Sequence, residues 1–316
     1  EFQEYMQFKF RQQWMKLKAY ANEKGIQIIG DIPIYVAMDS ADTWANPWLF
    51  KLDEKNCPTQ VAGCPPDGFS ATGQLWGNPL YNWEVHRNSG YEWWIKRIAN
   101  CFRLYDVVRI DHFRGFDEYY AIPYGDATAE NGWWEKGPGI DLFRAISASL
   151  GDREIIAEDL GYMTDSVKRL VEESGYPNMK VIEFAFDERD TGNASDYLPH
   201  NYPRNCVVYT GTHDNETLLS WLEDITPAER RQVRKYLNNF KDSGKELCDD
   251  LICLVMQSVA NLCIVPMQDY LGLDNSARMN QPSTLGKNWK WRLKEGQFTA
   301  ELQKEMLELA TRYGRR

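Results

Sequence analysis

Three acidic residues stand where short apolar runs give way to polar chain: Asp111 after 107–110, Glu158 after 155–157 and Asp214 just past 206–210. A carboxylate attacks carbon or carries a proton according to whether its surroundings favour the charged or the neutral form. Arg109 precedes Asp111 by two residues, so in an extended strand both side chains leave on one face. A guanidinium there favours the ionised acid that a carboxylate nucleophile needs, and the alternative is a plain structural ion pair. Glu158 follows Ile155-Ile156-Ala157. Apolar neighbours raise a carboxyl pKa toward that of a general acid at neutral pH; the alternative is an acid serving the dipole of a following helix. Asp214 lies in Thr210-Gly211-Thr212-His213-Asp214-Asn215-Glu216-Thr217, where Gly211 lets the chain turn. Asn215, Glu216 and Thr217 read alternatively as the start of a helix over 218–222. His112 and His213 adjoin two of the acids, as catalysts or as hydrogen-bonded structural residues. No His accompanies a Ser or Cys in a nucleophile motif, so a hydrolase triad is not expected.

The acids are joined by an aromatic, polar loop, Cys64-Pro65-Pro66-Asp67-Gly68-Phe69-Ser70-Ala71-Thr72-Gly73-Gln74-Leu75-Trp76-Gly77-Asn78-Pro79-Leu80-Tyr81. Flat aromatic faces stack on the apolar faces of glucose rings, and Phe69, Trp76 and Tyr81 are placed for that. Glycosyl transfer uses one carboxylate against the anomeric carbon and another to protonate the leaving oxygen. Acids and loop together point to sugar chemistry.

The acids need a frame. β-branched runs closed by polar residues recur at 26–32, 107–111, 154–159, 181–187, 206–210 and 263–269, with helical segments expected at 139–150, 165–173 and 227–240. Strands alternating with helices make a parallel sheet. Acids at the C-terminal ends of such strands are the mark of a TIM-barrel active-site face. About six strand units are present, so the expected fold is α/β, a TIM (β/α)8-type barrel that is incomplete. The alternative, a doubly wound open sheet, carries a Gly-rich phosphate turn after its first strand, and none is present. Residues 37 to 100 break the rhythm and read as a long insertion. The chain opens without Met on Phe2, Met6, Phe10, Trp14, Leu17 and Ala21 at helical spacing, with Gly25 to end the helix, as if cut from something longer.

Composition closes off other classes. The 316 residues carry 36 Lys and Arg against 46 Asp and Glu, a formal charge of −10 without a basic run. That excludes a nucleic-acid footprint. No apolar run reaches the roughly 20 residues of a membrane span, and no signal-peptide pattern opens the chain. Seven scattered cysteines without metal spacing suit a reduced, cytosolic protein, with Cys248, Cys253 and Cys263 acting as apolar residues of one helical stretch. Aromatic residues make up 13% of the chain, and several Trp sit in Gly-rich loops rather than in apolar runs.

Val108-Arg109-Ile110-Asp111-His112-Phe113-Arg114-Gly115-Phe116, Ala157-Glu158-Asp159-Leu160-Gly161 and Thr210-Gly211-Thr212-His213-Asp214-Asn215 resemble the three catalytic segments of the amylomaltases. These are the 4-alpha-glucanotransferases of glycoside hydrolase family 77, related to the α-amylase clan. The loop ending Gly73-Gln74-Leu75-Trp76-Gly77-Asn78-Pro79-Leu80-Tyr81 is similar to that family's long loop before the fourth strand. Gln268-Asp269-Tyr270-Leu271-Gly272 and Ala277-Arg278-Met279-Asn280-Gln281-Pro282 resemble its last strand and the loop that follows. The likeness runs over essentially the whole chain, 1–316, as a C-terminal portion of the catalytic barrel without the family's first two strands. It departs at Ser283, where the family has Gly.

The resemblance implies a retaining double displacement on α-1,4-glucans and maltooligosaccharides, with no metal or organic cofactor. Asp111 would be the nucleophile, Glu158 the general acid/base and Asp214 the stabiliser of the distorted sugar. Arg109 would hold Asp111, His213 and Asn280 would bind the donor sugar, Trp76 would shape the acceptor side, and Asp187 would touch substrate. Rival readings are an α-amylase-type hydrolase, which shares the three acids, and a catalytically inert glucan-binding fragment.

Overall fold

The computed structural model describes residues 1–315 apart from 67–69, 162, 189–193, 241–242 and 283, so Phe69 and Ser283 lie outside the described residues. The chain divides into two units, Glu1–Pro177 and Asn178–Arg316.

In the first unit, β1 (Ile29–Ile32), β4 (Val107–Ile110) and β7 (Ile155–Ala157) form a parallel sheet in that order, around an intervening antiparallel sheet in sequence. That second sheet is ordered β3-β2-β5-β6, from β2 (Gln60–Cys64), β3 (Gln74–Pro79), β5 (Glu118–Pro123) and β6 (Trp133–Lys136). Residues 37–100 are therefore not one loop-like insertion. Their middle pairs into the antiparallel sheet, and their end belongs to the helix Glu92–Leu104, the regular crossover from β1 to β4. The aromatic residues of this stretch divide by role. Tyr81 is 1% exposed, with its hydroxyl donating to the Ile34 carbonyl at 2.7 Å, so it is core rather than a sugar platform. Trp94 and Ile98, from the crossover helix, are fully buried in the same core as Val108, Ile110 and Leu142. Burial of a side chain such as Ile98 or Leu142 stabilises by about 1.5–3 kcal/mol.

The helix Phe2–Glu23 forms as the spacing predicts, and Gly25 just beyond it adopts φ 74°. It contains no buried residue, and it is tied down by Trp14 Nε1 donating to the Leu104 carbonyl at 2.8 Å.

In the second unit, β8 (Asn178–Val181), β9 (Cys206–Tyr209) and β10 (Leu262–Ile264) form a parallel sheet ordered β10-β9-β8. Two expected strands are displaced. The run 181–187 contributes only Val181 to β8, and Ile182–Phe186 winds into a 3-10 helix. The run 263–269 stops pairing at Ile264, because Pro266 has no N–H for a ladder and instead opens the helical turn Met267–Tyr270. Cys263 lies on β10, not in the helix Gly244–Met256 that holds Cys248 and Cys253. The expected helices appear as Ile140–Leu150, Asp165–Ser174 and Pro227–Leu237, the last opened by a capping box in which Thr226 and Glu229 satisfy each other's backbone N–H. Among the described residues no helix is long and apolar enough to cross a membrane.

Candidate active site

The first unit holds Asp111 and Glu158. β4 is buried at all four positions, as a parallel strand covered on both faces should be, and Arg109 within it is 7% exposed. A guanidinium so far from water needs partners. Sheet register supplies one: Asp31 on β1 stands opposite Arg109. Arg109 Nη1 donates to Asp31 Oδ2 at 2.6 Å and Oδ1 at 2.7 Å, and to Asp111 Oδ1 at 3.1 Å. The ion pair expected from the two-residue spacing is present, inside a larger cluster. Asp31 was not singled out from the sequence, although its signal was there: an acid within the first strand run, followed by Pro33.

Glu158 is held from both sides. Oε2 accepts the His112 N–H at 2.7 Å and Oε1 accepts the Leu160 N–H at 2.7 Å. Burial first, then the charge of Asp111, pushes its pKa up to about 7 against the pull of Arg109 and the two N–H groups. The helix-dipole reading of Glu158 does not apply, since the next helix begins at Asp165 and takes its cap from Thr164. His112 adopts φ 54°, and burial, with the Arg114 charge adding, pushes its imidazole down to about 3. It is a neutral packing residue. The Trp76 ring meets it edge-on at 4.8 Å and remains 37% exposed. Trp76 thus joins the segment that links Asp111 to Glu158.

The second unit gathers His213, Asp214 and Asn280. Asn280 Nδ2 donates to Asp214 Oδ1 at 2.5 Å, and His213 Nε2 lies 3.4 Å from Asp214 Oδ2. The Asn280 N–H donates to the His213 carbonyl at 3.0 Å, so the two loops are joined through backbone as well. Arg278, not foreseen, donates from Nη2 to the Asp214 carbonyl at 2.6 Å. The reading of 215–217 as helix-start residues is only partly met. The helix Leu218–Asp224 has Thr217 at its N-cap without a side-chain cap bond, and Asp269 Oδ1 accepts the Leu218 N–H instead, at 2.9 Å. Asn215 turns back, its Oδ1 accepting from both N and Oγ1 of Thr212. A pocket of about 130 Å³ opens here, lined by Thr212, His213, Asn215, Gln268, Asp269 and Arg278 among others. Asp187 lies half-buried at the end of the turn Ile182–Phe186. Two buried acids were missed, Glu183 and Asp269, because they were read as ordinary strand positions. Among the described residues no group of three or more His, Cys, Asp or Glu side chains is arranged to hold a metal ion.

Residues 1–299 match the family model described as 4-alpha-glucanotransferase, glycoside hydrolase family 77. A curated 4-alpha-glucanotransferase of Streptococcus pneumoniae is 52% identical over 310 residues, covering 98% of this chain and 60% of its own length. The chloroplastic/amyloplastic 4-alpha-glucanotransferase of Solanum tuberosum is 45% identical, covering 98% and 53% respectively. Among solved structures, the amylomaltase of Streptococcus agalactiae in complex with acarbose superposes with a TM-score of 0.93 at 43% identity, covering 98% of this chain and 61% of that one. The chain spans about 60% of the length of the first of these relatives.

Proposed function

Because this chain belongs to the 4-alpha-glucanotransferase family, we propose that it works as part of a 4-alpha-glucanotransferase, moving α-1,4-glucan segments between maltooligosaccharides by retaining double displacement. The observation that carries the reading is the contrast between two neighbouring carboxyls. Asp111 is paired with Arg109 and half-exposed, while Glu158 is buried, held by two N–H groups and raised to about 7. One carboxyl facing a guanidinium and another that is buried and raised suit a nucleophile and a general acid respectively.

In the proposed reaction Asp111 attacks C1 of the donor glucan while Glu158 gives its proton to the departing glycosidic oxygen, leaving a β-glucosyl ester on Asp111. Glu158, now a carboxylate, takes the proton from the 4-hydroxyl of a second glucan, which attacks C1 and releases Asp111. Asp214 stabilises the oxocarbenium-like sugar, with His213 and Asn280 as donor-sugar contacts, Asp187 as a further substrate contact and Trp76 on the acceptor side. The fold that accompanies this reading is a TIM (β/α)8-type barrel, and the setting is the cytosol. Maltotriose tests it. A transferase yields longer and shorter oligosaccharides at constant reducing ends, whereas rising reducing ends would mean a hydrolase, and no turnover would mean a glucan-binding protein.

A further inference from the structure

The loop that carries His213 and Asp214 runs over 210–217, from the end of β9 to the helix Leu218–Asp224. A buried acid with no part in the proposed reaction joins its two ends. Asp269 lies in the helical turn Met267–Tyr270 after β10 and is 2% exposed. Its Oδ2 accepts from Thr210 Oγ1 at 2.6 Å, where the loop begins, and its Oδ1 accepts the Leu218 N–H at 2.9 Å, where the loop ends. Thr210 and Leu218 are fully buried, so both bonds lie away from water, where they are electrostatically stronger. The Leu218 N–H opens its helix and finds no partner within it, and the Thr217 side chain makes no cap bond there. The Asp269 carboxyl supplies that partner from 51 positions further along the chain. The stretch that follows Asp269 also binds the loop between its ends. Asn275 Oδ1 accepts the Thr217 N–H at 3.2 Å, Arg278 donates to the Asp214 carbonyl at 2.6 Å, and the Asn280 N–H donates to the His213 carbonyl at 3.0 Å.

We infer that Asp269 is a positioning residue: by tying Thr210 to Leu218 through its two carboxyl oxygens, it closes the loop 210–217 and sets where Asp214 stands. The inference deepens the proposed function and rests on it. Asp269 acts on Asp214 through the loop backbone, whose freedom is reduced when both ends are pinned. A group that must face charge developing on the sugar loses much of its effect when it is misplaced by about an ångström. Burial pushes the Asp269 pKa up, while the Thr210 hydroxyl and the Leu218 N–H pull it down. The two contacts do not require a charge. An amide of the same shape keeps both, its oxygen accepting the Leu218 N–H and its NH2 donating to the Thr210 hydroxyl, which accepts as well as donates. A leucine keeps neither and leaves two buried polar groups unpaired.

The test compares Asp269→Asn, Asp269→Leu, Thr210→Ser and Thr210→Val in the intact enzyme. Maltotriose disproportionation and hydrogen–deuterium exchange of the peptide 210–218 are measured on each. Asp269→Asn and Thr210→Ser keep the contacts and are expected to hold kcat within about threefold. Asp269→Leu should lower kcat about tenfold with KM changed less than about threefold, in line with an interaction that matters in the transition state. Thr210→Val, close to the wild type in shape, should shift kcat the same way by a smaller factor. Exchange of 210–218 rises in the Leu and Val variants and not in the other two. Should Asp269→Leu fail to fold, the Thr210 pair still decides, because Ser restores the hydroxyl that Val removes. Wild-type kcat and exchange in Thr210→Val would overturn the inference, as would equal loss in the Asn and Leu variants or a change confined to KM. A wild type without transfer defeats the functional reading alone, and exchange still tests the positioning.

Discussion

The backbone N–H of His112 donates to Glu158 Oε2 at 2.7 Å. The residue that follows the candidate nucleophile in the chain thus fixes the candidate acid on the neighbouring strand. One peptide unit therefore separates Asp111 from a hydrogen bond to Glu158.

Asp111→Asn in the intact enzyme is expected to lower glycosyl transfer by roughly a thousandfold, because an amide cannot form the glycosyl ester. Mass spectrometry of enzyme trapped with a slow substrate should find the sugar on Asp111. Retention of about a tenth of the rate, or an adduct elsewhere, contradicts the assignment.

The pH profile carries a sign. In the proposed reaction ester formation needs Glu158 protonated, so kcat/KM should fall about tenfold per unit above about pH 7. In Asp111→Asn the charge that helps to raise Glu158 is gone, and the carboxyl should titrate lower in a ¹³C NMR titration; an unchanged value contradicts the coupling. Folding follows the same shift. A carboxyl raised from 4.5 to about 7 contributes stability fully below 4.5 and loses it as pH rises through about 7. Thermal melts of the wild type should decline over that window more than those of Glu158→Gln, which does not titrate.

Arg109→Lys keeps a charge and loses the planar guanidinium whose Nη1 meets both Asp31 and Asp111. A fall in kcat of roughly 10- to 100-fold is expected with the fold intact by circular dichroism, since positioning losses are of that order. Arg109→Met should also lower the melting temperature, because the guanidinium that meets both Asp31 and Asp111 is gone.

Asn280→Ala removes the 2.5 Å bond to Asp214 and should lower kcat about tenfold. Asn280→Asp sets a like charge at the same distance and should cost more. Steady-state kinetics on maltotriose decide, and wild-type activity in Asn280→Ala would show that this contact does not matter.

Trp76→Ala is expected to raise the acceptor KM about tenfold, the loss of one good stacking contact, and to shift product from transfer toward hydrolysis. Product analysis by chromatography at fixed donor measures the ratio. Since Trp76 also packs on His112, a small fall in kcat should accompany it.

Much of the frame was legible. Strands at 107–110, 155–157 and 206–209 lie where β-branched runs place them, because a strand buried on both faces has no polar alternation to blur its limits. The errors share a cause. The apolar runs 181–187 and 263–269 both begin as strand, and apolar residues with a helical continuation cannot be told from strand by periodicity alone. Tyr81 and Trp76 sit five residues apart in one aromatic loop, yet one is core and the other half-open, since exposure depends on what folds over each ring.

The local motifs around Asp111, Glu158 and Asp214 were enough to single these acids out: acid type, neighbouring Arg or apolar residue, and position at a strand end are all set within a few residues. Tertiary structure alone decided the partners. Asp31 meets Arg109 across 78 positions of chain, His112 meets Glu158 across 46, and Asn280 meets Asp214 across 66. Such pairings follow from strand register and from where a loop returns, which many sequences of the same local pattern would place differently. A carboxyl pKa near 7 is likewise a property of what surrounds it, and burial exists only once the chain has closed.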